Sequence, residues 1–401
     1  MTEVAEAEAL ILEHVPRLGS RREPLADCID RVLAEDVTAE RDQPPFDRVT
    51  MDGVAIAGRD WEAGVRTFEI VGTQAAGAPP LALRAPAHCV EVMTGAMLPR
   101  GADTVIPVER IARNAAAATV DARASVTVRQ YVHPRGSDRR AGAVVLAAGT
   151  RIGPPEVAVL ASAGRATVAV AELPRVAVVS TGDELVDVDE PLAEYQIRSS
   201  NDRAIEASLT RAKLARVTRS RLRDDEATLR AALARLDAEA DVLVLSGGVS
   251  MGQFDLVPGV LAELGAKLVF HRVRQRPGKP IWFGTSARGK PIFALPGNPV
   301  STLVCATRYL LPALRAAAGL SAPPHELVAL AGPGEASAEL THFLPVKLAW
   351  SGAGTGAALA TPCPTNTSGD FAALAGTDGF VELPARRSEY PAGAVVRLFR
   401  W

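Results

Sequence analysis

The chain has 401 residues, a formal net charge of −2 and an aromatic content of only 4%. An ordinary domain takes roughly 100–200 residues, so two to four cores are expected. A balanced charge and few rings exclude a surface built for nucleic acid, which needs a basic stripe and stacking groups; any anion site has to be local.

Residues 3 to 15 carry apolar side chains at helical spacing, and a second helix is expected from Leu25 to Leu33, ahead of the proline-rich break at Gln43 to Phe46. The N-terminus lacks a basic leader pattern and no later apolar run is long enough for a bilayer, which points to a soluble, cytoplasmic protein with no membrane partner. Cys28, Cys89, Cys305 and Cys363 lie far apart with no C-x-x-C pair. They read as small packed hydrophobes, not as disulfide or zinc ligands. From about Met51 to Ala141, short valine- and threonine-rich runs are punctuated by glycine, proline and asparagine, the pattern of a small β-rich domain. Residues 150 to 172 then give a proline-started helix, a glycine stop and a strand, and are expected to return to the first region.

From Pro174 the pattern becomes regular. A strand at 176–180 is followed by a helix from Asn201, a strand near Val217, a helix at 226–238 and a strand at 242–245. This βαβ alternation predicts a parallel sheet covered by helices. Beyond Ala318, SAPPHE marks a linker into a last segment of short strands.

Three strand ends in the central region carry similar punctuation: STGDEL after 176–180, SGGVSMGQFD after 242–245, and LPGNPVS after a strand at 291–294. In open α/β sheets ligands sit at the carboxyl ends of the strands, and glycines there let backbone N–H groups approach an anion. The first loop offers Asp183 and Glu184, and the second Ser246, Gly247, Gly248, Ser250 and Asp255. The third offers Pro296, Gly297, Asn298 and Pro299, with Asn298 just before a helix whose free N–H groups favour an anion. A magnesium-bound phosphate ester would use both carboxylates and N–H groups. RVRQRPGKPIWFG adds Arg274, Arg276 and Lys279 around a Pro-Gly turn, the best anion site in the chain. In the β-rich region Asp47, Asp52, Thr94 and Glu109 stand beside glycines, where Asp-Gly is by itself a hairpin signal. His133 and His342 are isolated and are assigned no metal.

PPFDRVTMDGVAI, MTGAMLPRGADTVIPVE, VAVVSTGDELV, IRSSN, SGGVSMGQFDLV, RPGKPIWFG and FALPGNPVST occur in one order along this chain. In that order they resemble the molybdopterin molybdenumtransferase (MoeA) family, which includes the C-terminal domain of gephyrin. The resemblance covers roughly residues 40 to 310 by motif and the remainder by layout. It implies an α/β multidomain chain in four parts. These are a discontinuous helical elongated domain (1–46 and 140–172), a small β-rich domain (47–139), a MogA-like parallel-sheet α/β domain that binds molybdopterin (173–319), and a C-terminal β-barrel-like domain (320–401).

The implied protein is a homodimer that inserts molybdate into adenylylated molybdopterin with magnesium, releasing AMP and molybdenum cofactor. A molybdopterin adenylyltransferase and cofactor-accepting enzymes are its implied protein partners. By motif position, Asp183, Glu184 and Asp255 are implied for magnesium and nucleotide. Ser250, Arg276, Lys279 and Pro280 are implied for molybdate and phosphates. Asp52 and Thr94 would complete the site from the β-rich domain.

The chain departs from the family pattern at several places. Arg276 stands where the family has the first lysine of K-P-G-K, Arg48-Val49-Thr50 replaces N-S-A, and Met97 replaces a proline. Thr341-His342-Phe343 replaces an R-x-F, while the loop TNTSGDF still offers Ser368 and Gly369. These changes leave tungstate open as an alternative oxyanion. Two other functions compete: a molybdopterin adenylyltransferase, whose chain is little more than the central domain, and a gephyrin-like scaffold without enzymatic activity.

Overall fold

The computed structural model describes residues 1–249, 256–350 and 358–401. They form two compact units: Met1–Ala34 with Ala148–Gly153 and Val168–Trp401, and Glu35–Ala147 with Pro154–Thr167.

The first unit is built on a six-stranded sheet whose order is Arg216–Leu222, Arg175–Thr181, Val242–Ser246, Pro291–Leu295, Trp282–Thr285, Lys267–His271. The first four strands are parallel, as the βαβ alternation predicts. Trp282–Thr285 runs antiparallel to both its neighbours, Pro291–Leu295 and Lys267–His271, a departure from the all-parallel expectation. The reason is connection length: only residues 286–290 separate Trp282–Thr285 from Pro291–Leu295, and a parallel return needs a crossover of about a dozen residues or more.

The pleat sorts side chains by parity. Val176, Val178, Val242 and Val244 face Ile205 and Leu209 of the helix Asn201–Ala212 and Val300 and Val304 of the helix Pro299–Cys305. Ala177, Val179, Leu243 and Leu245 face Leu229, Leu233 and Leu236 of Glu226–Glu239, with Val260 and Leu261 of Val257–Glu263. Burial on both faces explains the unbroken apolar runs in these strands. The N-terminal helix Val4–His14 adds Val4, Ala7 and Ile11 to the first core at helical spacing.

No helix forms across 25–33, contrary to the apolar spacing there. Only Leu25–Asp27 is helical, as a 3-10 turn, and Asp30 has φ 64°. Val32 and Leu33 instead bridge to Arg151 and Val170, so tertiary pairing overrides the local pattern.

The helix Pro299–Cys305 continues through a π turn, Ala306–Leu310, into Leu311–Ala317. Pro312 lies just beyond the widened turn. It has no N–H for the Arg308 carbonyl four residues back, and its ring would crowd that oxygen. Arg308, on this turn, is 1% exposed and sits 2.9 Å from Glu8 and 3.3 Å from Glu382.

The C-terminal segment closes a five-stranded barrel: Thr341–Trp350, Ala358–Pro362, Glu326–Leu330, Val395–Arg400 and Gly379–Leu383, which returns to Thr341–Trp350. Val328, Leu344, Val346, Val381 and Leu398 fill it. A two-residue strand from the central region, Gln275–Arg276, pairs in parallel with Thr341–His342 at its side.

The second unit holds a mainly antiparallel six-stranded sheet in the order Thr104–Pro107, Gly53–Ile56, His88–Val92, Thr67–Gln74, Ala117–Val120, Ile111–Arg113. Gly53 does not turn a hairpin, as Asp-Gly suggested; it opens a strand paired on both sides, to Val92 and Pro107. Val54 and Ile56 pack on one face and Ala55 on the other. Cys28, Cys89 and Cys305 are buried, the expected behaviour of small hydrophobes, whereas Cys363 is only partly covered. Among the described residues, no helix is long and apolar enough to cross a membrane.

Candidate functional site

The parallel register aligns the three punctuated strand ends, pairing Ser180 with Ser246 and Ser246 with Leu295. Beyond them lies a cavity of about 650 Å³ lined by Ser180, Thr181 and Glu184, by Ser246–Val249, and by Pro280 with Pro296–Pro299. Glu184, Ser246, Gly247, Gly248, Pro280, Pro296, Gly297, Asn298 and Pro299 are thus brought together around one cavity. Arg198–Asn201, from the IRSSN motif that was given no site role, and Asp224 line the same cavity.

The wall is rich in polar atoms that lack a partner among the described residues. Ser180 Oγ, Thr181 Oγ1 and Asn201 Oδ1 are buried and meet no hydrogen-bond partner among the described residues. Such groups are costly to leave unpaired, so they point to a polar occupant. The Asn201 amide ties the loops together, donating from Nδ2 to Ser246 Oγ (2.9 Å) and to the Gly297 carbonyl (2.7 Å). Gly247 has φ +100°, and a Cβ there would stand 2.5 Å from the Thr181 carbonyl oxygen, which fixes glycine at this crossing of two loops.

A second cavity of about 540 Å³ shares Pro280, Pro296 and Asn298 with the first. Arg276, Lys279, His342, Glu335, Ser368 and the loop Thr365–Thr367 line it. Arg276 and Lys279 therefore meet Ser368 across one cavity. His342, which the sequence left unassigned, joins them because Arg276 pairs with it in register. Its Nδ1 donates to the Glu335 carbonyl (2.6 Å), and the Arg276 guanidinium approaches the ring at 3.4 Å. Burial pushes the imidazole below its ordinary range and Arg276 adds to that, outweighing the Glu335 carbonyl. The ring is neutral at neutral pH. Glu335 comes within 3.6 Å of Arg276, but its side chain is 84% exposed and offsets little of the positive charge.

Other implied residues lie differently. Asp183 is turned to Arg223, 3.0 Å away, and does not line the cavity; Glu184 is the carboxylate of that loop that does. The helix end after Asn298 is less open to an anion than expected, since Val300 N–H already donates to the Ser368 carbonyl (3.0 Å). Asn298 Nδ2 donates to Ser368 Oγ at 2.7 Å. Ser250 and Asp255 lie outside the described residues.

In the second unit Asp52 and Thr94 meet directly. One carboxylate oxygen accepts the Thr94 N–H (2.6 Å) and hydroxyl (2.7 Å). These bonds hold Asp52 below the usual carboxylate range. Asp47 accepts from Arg135 N–H, a loop-fixing role, and His133 is satisfied between Asp138 and Arg48. Among the described residues no group of three or more His, Cys, Asp or Glu is placed to hold a metal by itself.

Family models match in three consecutive segments: residues 2–164 match the MoeA N-terminal region (domain I and II), 177–316 a probable molybdopterin binding domain, and 329–400 the MoeA C-terminal region (domain IV). The chain is 39% identical to a molybdopterin molybdenumtransferase of Synechocystis sp. over 402 residues, covering 100% of both. It is 30% identical to one of Bacillus subtilis, covering 93% of this chain and 88% of that protein. The solved molybdopterin biosynthesis MoeA protein from Pyrococcus horikoshii OT3 superposes with TM-score 0.85 at 25% identity, covering 100% of both chains. Both cavities are walled by the second and third matched segments, and the likeness runs from end to end: the chain belongs to the MoeA family.

Proposed function

We propose that this chain is a molybdopterin molybdenumtransferase: it inserts molybdate into adenylylated molybdopterin and releases AMP and molybdenum cofactor. One observation carries the reading. A cavity lined by hydroxyls without a partner among the described residues, at the sheet's carboxyl edge, opens beside a second that holds Arg276 and Lys279. The volumes lie within the range of roughly 300–1,000 Å³ usual for small-molecule sites.

The roles follow from charge. The strand-end hydroxyls, Asn201 and the loop glycines would take the phosphate oxygens and hydroxyls of the pterin nucleotide. Arg276 and Lys279 would hold the oxyanion. Two unit charges about 4 Å apart gain roughly 4 kcal/mol at an effective dielectric near 20, so two cations outweigh any single N–H contact with a dianion. Arg276 presents a rigid fork and Lys279 a point charge, and that pairing bears on the choice between molybdate and tungstate.

Magnesium is proposed to accompany the pyrophosphate. The donors beside Glu184 are hard oxygens, including the Ser180 and Thr181 hydroxyls, and magnesium typically takes only one or two carboxylates plus substrate phosphates. Glu184 would hold it, and Asp183 could join only by leaving Arg223. Bound there, the ion would offset negative charge on the anhydride oxygens. The proposed homodimer rests on the family resemblance, and sedimentation velocity tests it.

The test is AMP release from adenylylated molybdopterin with molybdate and tungstate side by side, with and without chelator. Lys279→Ala is expected to raise the molybdate KM roughly ten- to a hundredfold without loss of fold. No AMP release by the parent protein would favour a scaffold, and AMP transfer onto molybdopterin would favour an adenylyltransferase. An unchanged molybdate KM in Lys279→Ala would remove that lysine from the site.

A further inference from the structure

Gln275 is fully buried, 0% exposed, directly before the cationic turn Arg276–Lys279. A buried primary amide is costly unless its donors and acceptor are used, and here they are directed at the turn. Gln275 Nε2 donates to the Pro277 carbonyl (3.1 Å) and lies 3.5 Å from Cys305 Sγ, while Oε1 accepts from the Tyr309 hydroxyl. The turn rests on this group without a gap. Gly278 has φ +90°, and a Cβ there would stand 2.5 Å from Cys305 Sγ and 2.7 Å from Gln275 Nε2. The main chain is pinned as well, since Val273 N–H donates to the Lys279 carbonyl (3.0 Å).

Tyr309 and the Pro277 carbonyl between them fix which end of the amide faces the turn. Tyr309 is 1% exposed and belongs to the π turn Ala306–Leu310. Burial raises its phenol well above the ordinary value, so it keeps its proton and donates it to the amide oxygen. The Pro277 carbonyl, which can only accept, commits the amide nitrogen to the turn. Cys305, its thiol pushed up to about 12 by burial, stays neutral and serves as packing.

We propose that Gln275, oriented by Tyr309, is a positioning residue of the oxyanion site: it sets the height and direction of the Arg276–Lys279 turn so that Lys279 faces the cavity. The inference rests on the proposed role of Lys279 in binding molybdate. Neither Gln275 nor Tyr309 is proposed to touch substrate.

The experiment measures molybdate-dependent AMP release at saturating adenylylated molybdopterin for Gln275→Met, Tyr309→Phe, Lys279→Ala and the Gln275→Met/Lys279→Ala double variant. Gln275→Met keeps volume and removes both bonds; its molybdate KM should rise roughly three- to tenfold, the scale of one net hydrogen bond, with kcat within about twofold. Tyr309→Phe removes only the orienting hydroxyl and should raise the same KM about two- to threefold, and it remains informative if Gln275→Met folds poorly. On the Lys279→Ala background Gln275→Met should change the molybdate KM by less than about twofold, because the group it positions is gone. If Lys279→Ala raises the KM while both Gln275→Met and Tyr309→Phe only lower the unfolding midpoint, the network is structural and the inference falls alone. A full effect of Gln275→Met in the double variant also overturns it. If Lys279→Ala itself leaves the KM unchanged, the oxyanion-site reading falls and this inference with it.

Discussion

Replacing Arg308 by methionine should be among the most destabilising single changes in the chain. The guanidinium is 1% exposed, 2.9 Å from Glu8 and 3.3 Å from Glu382, and lies over the rings of Phe399 and Tyr309 at 4.9 and 5.4 Å. Burial alone would lower its pKa, but Glu382 and Glu8 more than compensate, so the charge is retained. Methionine fills much of the volume and leaves two carboxylates facing each other. The Glu382 side chain is only 16% exposed and Glu8 27%, so neither regains full hydration. Breaking a buried pair in this way costs about 3–5 kcal/mol. For a unit of this size each kcal/mol lowers the melting temperature by roughly 2 °C, which gives a drop of about 6–10 °C. Urea unfolding followed by circular dichroism measures the loss, and AMP release at low temperature should be little changed. The triple variant Arg308→Met/Glu8→Gln/Glu382→Gln removes all three charges and should recover most of the stability. A cost below about 1 kcal/mol for the single variant, or a triple variant no better than it, would refute the electrostatic account.

Asp52→Asn should weaken the clasp on Thr94, because an amide oxygen still accepts both bonds but without the charge. Because the native pKa of Asp52 is lowered, its contribution is complete above the unfolded value of about 3.9 and disappears only as pH falls through the lower native value; an NMR titration of the Thr94 amide should therefore show a midpoint below the usual carboxylate range. Lys290 Nζ donates to the carbonyls of Asp237 (2.5 Å) and Ala240 (2.6 Å) at the end of the helix Glu226–Glu239, so Lys290→Met should cost roughly 1.5–3 kcal/mol in urea unfolding while molybdate KM stays constant. His342 is held neutral by burial and Arg276, with the Glu335 carboxylate the other charge facing it. Its native pKa is lowered, so the ring charges only on acidification below the ordinary histidine range. The molybdate KM should fall there, and a pH profile of His342→Gln should lack that step.

Where residues act through their own strand or helix, the sequence was readable. The strands at 175–181, 242–246 and 291–295 are buried on both faces and so keep unbroken apolar runs that stop at glycine. Their shared direction and the convergence of their loops follow from βαβ connections. What escaped depends on partners distant in the chain. Asp183 reads as a metal ligand until the neighbouring strand delivers Arg223, and His342 reads as isolated until its strand pairs with Arg276, 66 residues earlier. Leu25–Leu33 has helical spacing, but Val32 and Leu33 find bridges that a helix would forfeit. The π turn did leave a signal: Pro312, inside an otherwise helical run, marks a point where the carbonyl four residues back has no donor.

That π turn connects stability to the site. It places consecutive residues in different duties, Arg308 toward Glu8 and Glu382, and Tyr309 toward Gln275. The amide it orients lies in the strand that pairs with Thr341–His342 of the barrel. The cationic turn is therefore held from two directions, by barrel backbone along one side and by a side-chain network beneath. Without the barrel strand, Gln275–Arg276 would lose its hydrogen-bonded partner and His342 would leave the cavity. The barrel thus acts as a template for the anion-binding turn, which accounts physically for a site whose cations come from the α/β segment while the chain beyond 320 supplies His342 and Ser368.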